Sequence, residues 1–356
     1  MIGEIKKIKV ALTSDCTLRC NHCRIDKNSG LNIGFRQAKK AVDLLLSSKG
    51  AYKRLELYGG EPFLRFNLLK KISRYALGKS KRSNKKISIS VATNATALDP
   101  EKISWIKRNK INISVSFSGT RESHDYNRIF ERGKGSYNLV RKNIKSLMEA
   151  VPPEYLVCLY CVDGAFAKNI KKDFKAIVEA GFKIVNIECV SGRGWNRKNY
   201  QEFKEGLSFV FGYIMKNAAS GGFICLEPFM EMLKDRRAWD FNCPKYRDLE
   251  MYPDGNYGFY PYAFMDYKKN KEAVSIGNFQ DGLDEKYLNC SPFSPRCENC
   301  ISEYYRLPGL ADGSAAYEYR SREMKKFFFD FLKDRSQKKT MEYIVNLDKI
   351  FRLTYV

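Results

Sequence analysis

An α/β fold carried on a parallel sheet is predicted by two features of the chain between residue 5 and about residue 190. Short segments rich in Val, Ile and Tyr recur at regular intervals, and between them lie stretches whose apolar residues repeat every three or four positions. Repeated β-α units of this kind pair their strands in parallel through helical crossovers. An open or incomplete barrel and a doubly wound sheet both satisfy the pattern, and periodicity alone does not separate them.

Taken in order, strands are expected at 5–12, 54–58, 87–92, 111–117, 155–162 and 183–190. Their β-branched and aromatic content suits half-buried or buried strands. Helices are expected at 35–46, 67–77, 137–148, 169–180 and 200–216; in the third of these Leu139, Val140, Ile144, Leu147 and Met148 form one apolar stripe. After about residue 220 the alternation stops. A helix is expected at 226–237, then a Tyr-, Pro- and Gly-rich stretch at 251–262 whose Asp254-Gly255 pair favours a hairpin turn. A group of cysteines follows, then an apolar helix at 324–332 and a short closing segment. These shifts divide the chain into a core at 1–220, a small cysteine-bearing domain at 221–310 and a helical tail at 311–356.

At 356 residues, 44% hydrophobic and 29% charged, the composition is that of a soluble globular protein with ample core. No apolar run approaches the ~18 residues that suggest a membrane span. The opening Met1-Ile-Gly-Glu-Ile-Lys-Lys lacks the regions of a signal peptide, so a cytoplasmic location is expected. Eleven cysteines, an odd number clustered at 16–23 and 290–300, fit metal ligation better than a disulfide framework. Sixty-three basic against 40 acidic residues give a formal charge of +23. That favours an anionic partner such as an acidic peptide, a nucleotide or RNA; the plainer reading is that the lysines coat solvated faces.

Four landmarks carry the chemistry. Cys16-x3-Cys20-x2-Cys23 begins where the first strand runs into a polar loop. Three thiolates can hold three corners of a four-iron cluster and leave the fourth iron open to a ligand. The other reading is a zinc site completed by His22. Leu57-Tyr-Gly-Gly-Glu-Pro62 ends the second strand, and Ala92-Thr-Asn-Ala-Thr96 ends the third. Ser114-Val-Ser-Phe-Ser-Gly119, with His124-Asp125 and Arg128 behind it, ends the fourth. For His124 and Asp125 a local turn contact is favoured over a direct catalytic role.

In this order the landmarks resemble the radical S-adenosylmethionine superfamily, in particular the branch with a C-terminal SPASM or twitch auxiliary-cluster domain. The likeness is close over about residues 5–190 and looser over 243–303. It implies a partial (β/α)6 TIM-like barrel followed by a small SPASM/twitch-like cysteine domain and a helical tail. It also implies a [4Fe-4S] cluster on Cys16, Cys20 and Cys23, S-adenosylmethionine on its open iron, and cleavage of that cofactor to a 5′-deoxyadenosyl radical that abstracts hydrogen from a substrate. By position Gly59, Gly60, Glu61 and Pro62 inherit contacts to the cofactor's amino end, with Asn94 beside them. Ser116 and Arg128 inherit its carboxylate, for which a planar guanidinium is suited. Two departures stand out: Ala95 replaces the family's glycine, and Ser118 replaces its aspartate.

For the auxiliary module the resemblance rests on Cys243, Tyr252-Pro-Asp-Gly255, Ile276-Gly-Asn278 and Cys297-x2-Cys300. Two cysteines usual to full SPASM domains are missing, so one auxiliary [4Fe-4S] cluster is expected, on Cys243, Cys297 and Cys300 with Cys290 as fourth ligand. Cys158 and Cys161, three apart on a strand, are expected on opposite faces. Glu188 and Cys189, near the end of the sixth strand, are the candidates for handling a proton or hydrogen atom. The substrate implied is a peptide, crosslinked, oxidised or epimerised, for which the positive charge suits an acidic leader segment. A low-potential electron donor such as flavodoxin or ferredoxin is the implied partner. The alternatives are oxidation of a small carbohydrate-like molecule, modification of RNA (permitted by charge, supported by no motif) and a zinc-binding interaction protein.

Overall fold

The computed structural model describes residues 4–190, 194–234, 248–258, 262–284, 314–333 and 338–355. Cys243, Cys290, Cys297 and Cys300 lie outside these residues. The six expected strands are present as β1 (Lys7–Ala11), β2 (Tyr52–Tyr58), β3 (Lys86–Thr93), β4 (Asn112–Ser116), β5 (Leu156–Val162) and β6 (Ile184–Cys189). The expected helices are α1 (Phe35–Ser47), α2 (Phe66–Arg82), α5 (Tyr137–Ala150), α6 (Ile170–Glu179), α7 (Arg197–Ala219) and α8 (Glu227–Lys234). Between residues 5 and 190 two helices were not expected: α3 (Pro100–Asn109) and the short α4 (Arg121–Asn127). Both carry local start signals, since the Asp99 carboxylate accepts from Lys102 N and the Thr120 hydroxyl from Ser123 N.

The chain divides into two compact units. The first gathers the described residues up to Ile113 with those of 248–258 and 262–284; the second gathers Ser114 to Lys234 with those of 314–333 and 338–354. In the first unit the strand order is β3-β2-β1-β8-β9, with β8 (Asp248–Met251) and β9 (Tyr257–Gly258). Strands β1, β2 and β3 pair in parallel, as the crossover pattern requires. The Asp254-Gly255 turn joins β8 to β9 as an antiparallel hairpin, where the sequence placed it. β8 pairs in parallel with β1, from Lys7 opposite Asp248 to Val10 opposite Met251, so a late segment of the chain covers the free side of the first strand. Beyond it come α9 (Tyr267–Val274) and a two-stranded ladder of β10 (Gly277–Asn278) and β11 (Gly282–Leu283).

One face of these strands packs on the helices: Ile8, Val10, Leu55, Leu57, Ile89 and Val91 are buried, opposed by Ala38, Val42 and Leu45 of α1 and Leu69, Ile72 and Ala76 of α2. Each such Leu or Ile withdrawn from water contributes roughly 1.5–3 kcal/mol. The alternate positions, Lys9, Arg54, Glu56, Ser88 and Ser90, are polar and half-buried. Period-two alternation thus leaves an open polar face opposite the helices.

The second unit orders its strands β4-β5-β6-β7, with β7 at Cys225–Leu226, and β5, β6 and β7 are parallel. The tail is more helical than its sequence indicated: α10 spans Ser314–Lys333, and the closing segment is a second helix, α11 (Lys338–Tyr355). Phe327 of α10 stacks on Phe211 at 4.5 Å, and the Tyr343 hydroxyl of α11 donates to Ile224 O at 2.8 Å.

The β8 pairing buries a charge. The Tyr58 hydroxyl donates to the Glu250 carboxylate, which also accepts from Tyr262 N at 3.1 Å. Burial pushes the Glu250 carboxyl up to about 7, against the pull of the Lys9 ammonium 3.7 Å away. A carboxyl whose folded pKa exceeds its unfolded value of 4.5 contributes stability that is full below 4.5 and lost as pH rises through about 7. Glu250→Gln keeps an acceptor for Tyr58 and removes the titration. Its unfolding free energy, measured with urea across pH, is expected to exceed wild type above neutral pH by on the order of 2–3 kcal/mol and to converge with it in acid. Parallel pH profiles would refute the assignment.

Candidate active site

The cysteine loop leaves β1 at Leu12 and is fixed by backbone bonds to two other loops. Leu12 N donates to Tyr58 O at 2.8 Å, and Ser14 N to Leu31 O at 2.8 Å. Gly60 N donates to Thr13 O and Glu61 N to Asp15 O, both at 2.8 Å. The segment 57–62 is therefore stitched to the residues that lead into Cys16. A Cβ on Gly59, whose φ is +131°, would stand 2.6 Å from Thr13 O; on Gly60 it would stand 2.0 Å from Asp15 O. Both glycines are required by the close approach of the chain's own loop.

Glu61 is fully buried and ties this segment to the third landmark. Its carboxylate accepts from the Thr93 hydroxyl at 2.8 Å, from Asn94 N at 2.9 Å and from Phe63 N at 3.0 Å. Burial pushes its carboxyl up to about 7, while those donors favour the charged form. The Asn94 amide then reaches back, donating to Cys16 Sγ at 3.4 Å and Thr17 Oγ1 at 3.2 Å. Ala95 has φ +63°, a left-handed conformation that glycine adopts without penalty, and its methyl is buried.

Cys16, Cys20 and Cys23 are half-buried. Burial pushes the Cys16 thiol up, and the Leu18 N–H at 3.4 Å opposes it. The Lys27 ammonium lies 2.8 Å from Cys23 Sγ. Both contacts place an N–H donor at a sulfur. Among the described residues no three Cys, His, Asp or Glu side chains converge on a single ion. Three accessible thiols in one loop, flanked by N–H donors, are a donor set that fits a cluster held at separate corners. Behind the loop Cys23 packs against a buried core containing Tyr58, Tyr252, Tyr262 and Tyr267.

In the second unit Ser116 is half-buried at the end of β4, and Arg128, 4% exposed, closes α4. His124 and Asp125 make local contacts: His124 Nε2 lies 3.0 Å from Ser136 Oγ, and the Asp125 carboxylate accepts from Tyr137 N at 2.8 Å. Ser118 is buried, with its backbone N–H toward His124 Nδ1 at 3.4 Å.

Glu188 and Cys189 separate. Glu188 is half-buried on the face it shares with its register neighbour Cys161, whereas Cys189 faces the other way and burial pushes its thiol up to about 12. The thiol beside Glu188 is Cys161, which burial pushes up against the opposing charge of Arg128. Cys158 is buried on the opposite face, as strand alternation requires. Sequence reasoning also missed Arg320. This residue of α10 is 1% exposed and donates to Glu188 Oε2 at 2.8 Å and to Ile187 O. Nothing in the local sequence of α10 signals that its arginine meets a strand more than a hundred residues earlier.

Comparison with known proteins bears on these loops. Residues 10–177 match the model of the radical SAM superfamily. The chain is 32% identical over 136 residues to an uncharacterised protein of Methanocaldococcus jannaschii, covering 38% of this chain and 46% of that protein. It is 26% identical over 318 residues to a cysteine-type anaerobic sulfatase-maturating enzyme of Clostridium novyi, covering 81% and 83%. Over 140 residues it is 29% identical to the antilisterial bacteriocin subtilosin biosynthesis protein AlbA of Bacillus subtilis, covering 39% and 29%. Among solved structures it resembles native anSMEcpe with bound AdoMet and Cp18Cys peptide, with TM-score 0.67, 19% identity and 96% and 99% of the two chains covered. It also resembles Streptococcus suis SuiB bound to precursor peptide SuiA, with TM-score 0.59, 12% identity and 85% and 68% covered. These structural likenesses are of fold, and they bear out the partial-barrel α/β class with parallel strands.

Proposed function

From the match of residues 10–177 to the radical SAM superfamily we propose that the chain is a radical SAM enzyme that modifies a peptide by hydrogen abstraction, using a [4Fe-4S] cluster and S-adenosylmethionine. When bound, that pair supplies a 5′-deoxyadenosyl radical able to take hydrogen from an unactivated carbon. The observation that carries the reading is the joining of three landmarks around Cys16: the 57–62 segment through Thr13 and Asp15, and the 92–96 segment through Glu61 and Asn94.

In this reading Cys16, Cys20 and Cys23 are the cluster ligands. Gly59, Gly60, Glu61, Pro62 and Asn94 line the cofactor's amino end, and Ser116 and Arg128 take its carboxylate. The buried Glu61 carboxylate holds the 92–96 turn in place, and the Asn94 amide steadies the Cys16 sulfur. Glu188, held by Arg320, and the neighbouring Cys161 are the groups of the open strand face able to hold or move a proton. Cys243, Cys290, Cys297 and Cys300 remain the proposed ligands of one auxiliary cluster. A peptide substrate is supported by the sulfatase-maturating and subtilosin-biosynthesis relatives. A cytoplasmic location and a low-potential donor such as flavodoxin or ferredoxin belong to the same proposal.

The test is anaerobic reconstitution with iron, sulfide and dithionite, then assay for 5′-deoxyadenosine with and without candidate peptides. The expected result is S-adenosylmethionine cleavage, accompanied by a peptide mass change of about one or two units. Zinc in place of iron, and no 5′-deoxyadenosine, would overturn the proposal.

A further inference from the structure

The positive charge is unevenly distributed. Residues 4–113 hold 25 basic side chains against eight acidic ones, so +17 of the formal +23 lies there. From Pro62 to Leu98 there are nine basic residues and no acidic one. This does not match lysines scattered evenly over a surface.

The structure collects this charge on α2. At 100° per residue, Lys70, Lys71, Arg74, Lys81 and Arg82 fall within one arc of the helix, on the side away from buried Leu69, Ile72 and Ala76. Lys71, Arg74, Lys81 and Arg82 are exposed. Nearby carboxylates are already engaged: Asp43 holds Lys39, Lys79 and the Tyr75 hydroxyl, and Glu101 lies 3.5 Å from Lys70. Among the described residues no carboxylate pairs with Lys71, Arg74, Lys81 or Arg82. Like charges at three- and four-residue spacing destabilise a helix by about 0.2–0.5 kcal/mol per pair. A bound anion would offset that repulsion.

We propose that this face of α2 is the docking stripe for an acidic segment of the peptide substrate. The proposal rests on the peptide reading above and adds where the substrate is gripped. Helix α2 begins directly after the turn at Pro62–Arg65 that follows Glu61, so the stripe starts at the cofactor end of the unit and runs away from it. Its 17 residues span about 25 Å, the length of roughly seven or eight residues of extended peptide. An acidic leader laid along it leaves the adjoining segment at the site. The densest charge, Lys79 to Lys86, is at the far end of the helix from Pro62. Phe35 and Tyr75, the aromatic rings flanking the stripe, are covered by Lys71 at 4.3 Å and Lys39 at 5.0 Å, so these rings are not open platforms for bases.

Gly78 lies within the charged arc, and a Cβ there would meet only Arg82 Nη1 at 3.6 Å. Gly78→Glu therefore inserts a negative charge without a clash, and Gly78→Ala is its steric control. The probe is a fluorescein-labelled decaglutamate peptide, titrated with full-length reconstituted protein, with bulk tRNA in a parallel arm. Wild type and Gly78→Ala are expected to bind decaglutamate with affinity that falls as salt rises. Gly78→Glu and Arg74→Glu should bind at least about fivefold more weakly, while 5′-deoxyadenosine formation from S-adenosylmethionine alone stays at the wild-type rate. Decaglutamate affinity unchanged by Gly78→Glu would overturn the proposal. So would tRNA binding that is lost in Gly78→Glu while decaglutamate fails to bind wild type. A wild-type chain that binds decaglutamate through the stripe but cleaves no S-adenosylmethionine would sink the radical reading and leave the stripe standing.

Discussion

Replacing Cys16, Cys20 and Cys23 together by Ala is expected to remove the four irons of one cluster per chain and to reduce 5′-deoxyadenosine formation by more than ~100-fold. The magnitude follows from the comparison with outer partners of metal ligands, whose loss alone costs about 10–100-fold in metal affinity or activity. The fold should survive, because the loop is anchored by Leu12, Thr13, Ser14 and Asp15 backbone bonds that do not involve sulfur. Cys189→Ala and Cys225→Ala are the controls: both thiols are buried, and both should leave iron content unchanged. Iron and sulfide analysis of anaerobically prepared protein decides the matter. An undiminished iron content in the triple variant would place the cluster elsewhere and end the assignment.

Gly60→Ala is expected to be nearly as damaging to activity, although it removes no ligand and adds one methyl group. The new Cβ would stand 2.0 Å from Asp15 O, a backbone atom that cannot swing aside as a side-chain tip can. The two loops must part, breaking the Gly60 N–Thr13 O and Glu61 N–Asp15 O bonds that set the position of Cys16. Local strain of this kind costs on the order of 1–3 kcal/mol, and displacement of a positioned group by about 1 Å costs on the order of 100-fold in rate. The expected phenotype is a folded protein by circular dichroism with 5′-deoxyadenosine formation down by about that factor. Gly78→Ala, whose Cβ would make only an ordinary contact with Arg82 Nη1 at 3.6 Å, should instead stabilise the protein by roughly 0.5–1 kcal/mol. Equal activity of Gly60→Ala and wild type would show that the loop contact does not position the cysteines.

Much of the site was legible because its parts lie close together in sequence. Three cysteines within eight residues, and Gly-Gly-Glu-Pro at the end of a strand, announce themselves without knowledge of their neighbours. Glu188 was singled out by its place at a strand end, but its partner Arg320 was not. A pairing across 132 positions leaves no trace in local pattern. Cys189 was singled out because it stands near the strand end; the structure puts Cys161, not Cys189, on the face of Glu188. That Glu188 and Cys189 face opposite ways follows from strand alternation, whereas the placing of Cys161 beside Glu188 is set by the pairing of β5 with β6.

The order and kind of the first six strands, the hairpin at Asp254-Gly255 and the composition of the cysteine loop were fixed by the sequence itself. Each depends on periodicity, turn chemistry or spacing, all of which act over a few residues. Tertiary structure decided the addition of β8 beside β1, the seating of Glu250 against Tyr58 and the anchoring of Glu188 by Arg320. These follow from burial and from the meeting of distant segments. Burial energy depends on which surfaces a folded chain brings together, and no short window of sequence contains that information.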